Sequence, residues 1–262
     1  MLSKNQRTRV RILVKAFPQH SHKYEETVCC AGITDAGRLI RLFPITYRRL
    51  AREHQFDRFD LIEATLTKAT SDPRPESFRV DHDSIRVIER GGKLSDESKV
   101  NLWQPHIAAS LEALQQENKA TGRSLGIIQP DAGSLEFFHR PAKADELQDA
   151  RGMQASLFEK PLRPLTPPEF VFGYKYTSAG RPHTNTLQDW EVQAAYLAYL
   201  KRYGTREEAL RMLAEEYGTR IPTRHPHFIM GTMKLHPRTF ILIGLLRTGV
   251  DPGELAKQGS LL

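Results

Sequence analysis

Between Arg9 and Phe17 the chain reads RVRILVKAF, with Val10, Ile12, Val14 and Ala16 set against Arg9, Arg11, Leu13 and Lys15. A period of two, with one side apolar and the other mostly basic, predicts a half-buried β-strand. Val28–Ile33 and Arg38–Phe43 are further strand-like runs joined by Asp35-Ala36-Gly37, which is hairpin turn chemistry. FDLIEATLTKAT (Phe59–Thr70) alternates again, DPRPES (Asp72–Ser77) breaks the pattern, and FRVDHDSIRVIE (Phe78–Glu89) predicts one or two short strands. Short strands separated by turns predict a small barrel or sandwich.

Helical spacing first enters at Ile107, Leu111 and Leu114 and predicts a helix over 107–119. Ser124–Arg140 reads as a second hairpin around Asp131-Ala132-Gly133. Residues 141–169 are irregular and proline-rich toward their end, so a linker is expected there, between an N-terminal β domain (1–140) and a C-terminal β unit (170–262). The C-terminal unit is expected to run from a strand (Phe170–Thr177) through helices over Leu187–Tyr203 and Glu207–Tyr217 to strands His227–Met233 and Arg238–Arg247. Thr205 with Glu208 three residues on is a capping box for the second helix. Trp190, Ala194, Leu197 and Leu200 are the expected buried face of the first. No repeat at solenoid periods and no low-complexity tract interrupts this plan.

The 262 residues carry a net charge of +7, but unevenly. Residues 1–60 hold 12 Lys/Arg against 6 Asp/Glu; residues 219–248 hold 5 Lys/Arg and no acid; residues 61–218 lean slightly acidic. Positive charge at both ends favours an acidic partner, and nucleic acid over membrane, because no basic amphipathic helix accompanies it. No stretch approaches the roughly 20 apolar residues of a membrane span. The basic N-terminus runs directly into a strand pattern without a signal-peptide core. Cys29 and Cys30 are adjacent and point to opposite faces of a strand, which disfavours bridging. A reduced, cytoplasmic setting is the expectation.

The strongest candidate surface is RLIRLFPITYRRL, Arg38–Leu50, where Arg41, Phe43, Tyr47, Arg48 and Arg49 interleave cations with rings. Aromatic faces stack on unpaired bases while guanidinium groups hold phosphate. The same residues also suit an ordinary strand end with core rings and solvated arginines. MKLHPRTF (Met233–Phe240) is a second basic turn, with Lys234, His236 and Arg238 as phosphate contacts. A rival constellation is His183, Asp189 and Glu191, with His227, as a metal-dependent hydrolase or nuclease centre. Against it, Asp189 and Glu191 are two apart and do not share a helix face, and an acid in the first turn also suits the helix dipole. No CxxC, HExxH, Walker A loop, GxGxxG or GxSxG is present, so neither metal nor cofactor is expected.

KYEETVCCAGI (Lys23–Ile33), RLIRLFPITYRRL, DPRPESFRV (Asp72–Val80), LGIIQP (Leu125–Pro130), the FGYKYT to LQDWE region (Phe172–Glu191) and GTMKLHPRTFILIGLL (Gly231–Leu246) together resemble a family of bacterial proteins carrying a dual OB-containing domain. That resemblance implies an α+β, mostly β chain of two OB-like small barrels, with a helical insertion in the second, and a nucleic-acid role. The resemblance also implies a metal site in many members, which carry a cysteine pair ahead of the histidine in the DWE segment. This chain has Thr177, Ser178, Ala179 and Gly180 there, so His183 is not expected to bind zinc. The expected function is binding of DNA or RNA, single-stranded or structured, with little sequence specificity. The alternatives are the hydrolase above, or an adaptor whose partners are proteins in a larger nucleic-acid-processing or defence complex.

Overall fold

The computed structural model describes residues 6–21, 25–143, 146 and 168–251. The chain is α+β and divides into two compact units. The first takes most of the chain up to Gly91 and also the described residues of His139–Val171, the outer ends of two strands. The second takes Gly92–Phe138 and the chain from Phe172, together with Arg74–Glu76.

In the first unit, β1 (Gln6–Lys15) pairs antiparallel with β3 (Glu25–Thr34) on one side and β5 (Leu61–Lys68) on the other. β3 continues to β4 (Leu39–Ile45), β4 runs parallel to β6 (Ser77–Val80), and β6 returns antiparallel to β5. The order β1-β3-β4-β6-β5-β1 closes a five-stranded barrel. β2 (Gln19–Ser21) extends the β3 side, and β7 (Arg86–Glu89) adds to β5.

The alternation expected from the sequence is clearest in β5, where Ile62, Ala64 and Leu66 are fully buried between partly exposed neighbours. Each such Ile or Leu contributes about 1.5–3 kcal/mol by leaving water. β1 departs from it: Leu13, expected on the polar side, is buried alongside Val14. A bulge between Ile12 and Val14 in the β1–β3 register resets which face each residue meets. The β3–β4 hairpin turns at Gly37, whose φ of +70° suits a residue without Cβ, and Gly37 N donates to Thr34 O at 2.8 Å. Buried Asp60 locks the unit's far edge, accepting from Asp57 N, Gly91 N and Arg90 Nη1 at 2.8–2.9 Å. Gly91 is required there: a Cβ would lie 2.2 Å from the Phe59 carbonyl carbon.

The second unit begins with α1 (Asp96–Trp103), which the sequence pattern did not announce. Then come β8 (Ile107–Ala108), α2 (Leu111–Thr121), β9 (Leu125–Ile128), β10 (Glu136–Pro141), β11 (Phe170–Ser178) and β12 (Arg181–Thr186). Helices α3 (Trp190–Tyr203) and α4 (Arg206–Glu215) precede β13 (His227–Thr232) and β14 (Phe240–Leu246). The strands form a three-stranded sheet, β10-β11-β12, and a four-stranded sheet, β14-β13-β9-β8, with a parallel bridge between Leu187 and Leu242. Among the described residues these sheets do not form a continuous ladder like that of the first unit.

Several expectations change here. The helix expected from Ile107 starts at Leu111, because Ile107 and Ala108 pair with β9 and Ser110 caps α2 through Ala113 N. β9 and β10 are not a hairpin: β9 pairs with β13, and β10 with β11. That pairing draws residues 92–138, expected in an N-terminal domain, into the second unit. The expected linker lies largely outside the described residues. On α3 the buried face is Val192, Gln193 and Tyr196 instead, and Leu197 is exposed. Thr205 caps α4 through Glu208 N, as the capping box requires.

Candidate nucleic-acid interface

In the first unit, β4 carries Arg41 and Phe43, and a short 3-10 turn carries Tyr47, Arg48 and Arg49. Arg41 is only 3% exposed; its register partner on parallel β6 is Ser77, and Nη1 donates to Ser77 Oγ at 3.3 Å. Tyr47 is 9% exposed. Its ring meets Phe56 edge-on at 5.2 Å, and its hydroxyl donates to Phe56 O at 2.6 Å. Lys15 Nζ sits 4.4 Å above the same ring and donates to Tyr47 Oη, Phe56 O and Asp57 Oδ1. Burial pushes the Tyr47 hydroxyl up, against the pull of the Lys15 charge. Burial alone pulls Lys15 down, yet its bonds to Asp57 and Tyr47 outweigh that and leave it raised.

Arg48 donates to the buried Glu26 carboxylate at 2.7 Å. His82 fixes the chain between these residues. Its Nε2 must donate to Pro44 O at 2.8 Å, because a carbonyl only accepts, so its Nδ1 takes the proton of Thr46 Oγ1 at 3.1 Å. Of the five residues proposed for this segment, Phe43 is the one that stands out from the barrel, 42% exposed; Arg48 and Arg49 are half-buried. Tyr47 is instead packed as a core ring.

The second unit presents the other basic turn, between β13 and β14. Met233 through Thr239 are all exposed, and Leu235 reaches 85%. Lys234, His236 and Arg238 make no side-chain hydrogen bond or ion pair among the described residues. The loop is nevertheless anchored. His236 N donates to Met233 O and Thr239 N to His236 O, while the buried Asn118 of α2 donates to Pro237 O at 3.0 Å. At its root, Thr232 O accepts from buried Arg74 and Thr232 N donates to Ser124 O. Glu76 accepts from both the amide and the hydroxyl of Ser124. Within DPRPES, then, Arg74 and Glu76 anchor different groups.

The residues of the hydrolase alternative are held apart. Asp189 is buried and caps α3 through Glu191 N, its other oxygen accepting from Leu245 N, while Glu191 faces solvent. His183 lies 3.0 Å from Glu112 on α2 and packs against Tyr176, not against Asp189. His227 is fully buried; Nδ1–H donates to His225 O at 2.9 Å, and burial pulls its pKa down to about 4. Among the described residues no group of three or more His, Cys, Asp or Glu side chains converges to hold a metal ion. Where the resembled family carries its cysteines, Asp131 builds a turn, accepting from Thr177 Oγ1 at 2.6 Å and from the amides of Ala179 and Gly180. The Thr177 bond leads in holding the Asp131 carboxyl below its usual range. An Asp followed by Ala-Gly had signalled only a local hairpin turn, so this longer-range role was not legible.

Fold and surface thus define an α+β chain with a closed five-stranded barrel and an exposed basic hairpin loop. Residues 107–260 match the family described as Domain of unknown function (DUF8757), and the chain belongs to it. Residues 6–105 match the one described as Domain of unknown function (DUF8758). Among solved structures, the tetrameric p202 HIN2 is similar at 7% identity and a TM-score of 0.31, covering 72% of this chain and 74% of that one. A replication protein A heterotrimer bound to ssDNA is similar at 11% identity and a TM-score of 0.28, covering 99% of this chain and 69% of that one. No curated protein matches the sequence. No helix among the described residues is long and apolar enough to cross a membrane.

Proposed function

We propose that this chain binds nucleic acid, single-stranded or structured, with little sequence specificity. The reading is carried by one observation: Lys234, His236 and Arg238 project from an anchored loop with no acidic partner among the described residues. Many cations elsewhere are paired at home, as with Arg48 by Glu26, Arg90 by Asp60, Arg211 by Glu208 and Arg247 by Glu216. Those left exposed, such as Arg38, Arg79 and Lys119, are scattered singly, whereas Lys234, His236 and Arg238 share one loop. Cations kept exposed, and kept apart from carboxylates, suit phosphate as a partner.

Connectivity supports it. The barrel's strand order, with its single parallel pair β4–β6, is that of an OB fold, a frequent platform for oligonucleotides. We read the second unit as a variant of the same plan. Its order is β10-β11-β12, then β14 across the parallel Leu187–Leu242 bridge, then β13, with α3 and α4 inserted between the third and fourth strands. β9, which pairs with β13, stands for the other half of a first strand broken at 129–135. On this reading the basic loop joins the fourth and fifth strands, a position OB folds use for binding. Phe43, five and six residues ahead of Arg48 and Arg49, is a candidate stacking site of the first unit.

The test is binding of a labelled oligonucleotide across a salt series. Several phosphate contacts give a log–log slope of several units. Absence of binding at low salt, or a flat salt response, overturns the proposal.

A further inference from the structure

We propose, resting on the nucleic-acid reading above, that Leu235 is a wedge that enters the base stack at a weakened step of a duplex: a mismatch, a nick or a junction with single strand. Leu235 is the most exposed large apolar side chain among the described residues, with Met233 exposed two residues before it. It therefore contributes almost nothing to the core, and its place in the loop needs another explanation. Solvent alone accounts poorly for it, since the surrounding side chains, Lys234, His236 and Arg238, are polar.

The arrangement has the parts that duplex-kinking proteins combine. An apolar side chain separates two base pairs, and flanking cations hold the phosphates on either side of the opened step. A wedge must also be stiff, or the stack pushes it aside. Here the loop is tied by its own turn bonds, by Asn118 to Pro237 O, and at the root by Arg74 to Thr232 O. β13 beneath it is buried along its whole length. Unstacking costs least where pairing is already faulty, so the substrate class is a duplex with a mismatched or broken step. An anionic membrane is the rival occupant. One largely exposed leucine and one partly exposed methionine offer little area for a bilayer, whose hold scales with buried apolar surface. They match the gap between two base pairs better.

The experiment uses the full chain and a duplex with 2-aminopurine beside a single mismatch, alongside the fully paired duplex and phosphatidylserine vesicles. The parent is expected to raise 2-aminopurine fluorescence and to favour the mismatched duplex by about tenfold. Leu235→Ser should abolish that rise and that preference, leave the salt slope unchanged, and melt with the parent; Leu235→Met should keep the signal. If the parent binds oligonucleotides but Leu235→Ser behaves like it, the wedge is overturned and the nucleic-acid reading stands. If the parent binds no oligonucleotide, both fall. Leu235-dependent binding to the vesicles in preference to either duplex also overturns the wedge.

Discussion

Arg38–Arg49 and Met233–Thr239 look alike as sequence, each threading cations between apolar or aromatic residues, and the fold treats them oppositely. In the first, Arg41 is drawn under β6, Tyr47 is packed on Phe56 beneath Lys15, and Arg48 is paired with Glu26. In the second, every side chain from Met233 to Thr239 reaches water, and the three cations keep no partner among the described residues. The difference lies in what the rest of the unit supplies. The barrel brings Phe56, Asp57, Glu26 and Ser77 to the first segment, whereas the tip of a hairpin has little beyond it to fold onto. Interleaved rings and cations are therefore a poor index of a binding surface. On the reading proposed above, the cations left unpaired on the anchored loop are the better candidates.

The largest effect that tests this contrast is on folding. Tyr47→Ala should destabilise the protein by about 3–5 kcal/mol in urea unfolding, the usual cost of removing a buried aromatic. A normal midpoint with weakened single-strand binding would return Tyr47 to the binding surface.

The β13–β14 hairpin can be tested at both ends, because its root is buried while its tip is not. His227, at the root, has a folded pKa of about 4 against an ordinary 6.5. The unfolded chain takes the proton first, so this contribution is full above pH 6.5 and is lost as pH falls toward 4. It should amount to about 3 kcal/mol. A His227→Gln variant should lack that part of the pH dependence, and an unchanged acid limb would contradict the burial.

At the tip, replacing Lys234, His236 and Arg238 together by alanine should leave stability within about 0.5 kcal/mol, as for surface changes generally. The same variant should lower the salt slope by about 1.4–1.8, from two permanently charged contacts. Melting far below the parent would show that the loop belongs to the core after all. The smallest effect is expected at Arg211, a cation already held by Glu208 and Glu215 on α4. Arg211→Ala should bind oligonucleotides with the parent's affinity and slope. A loss equal to the loop variant's would erase the distinction between paired and unpaired cations.

Local chemistry determined a good deal by itself. The strands of the barrel, the Gly37 turn, the capped start of α4 and the exposed basic loop follow from period-two alternation, turn residues and a capping box, all of which act within a few residues. Tertiary structure decided the rest, since it depended on partners far along the chain. A bulge put Leu13 inside, β13 took β9 away from β10, and Ile107 became a strand because Ile127 lay beside it. Residue type told that Tyr47, Arg41 and Lys234 are each capable of holding a base or a phosphate. Which of them remains available was settled by Phe56 and Ser77, brought within bonding distance of the first two by barrel closure, and by the lack of any such neighbour at the hairpin tip among the described residues.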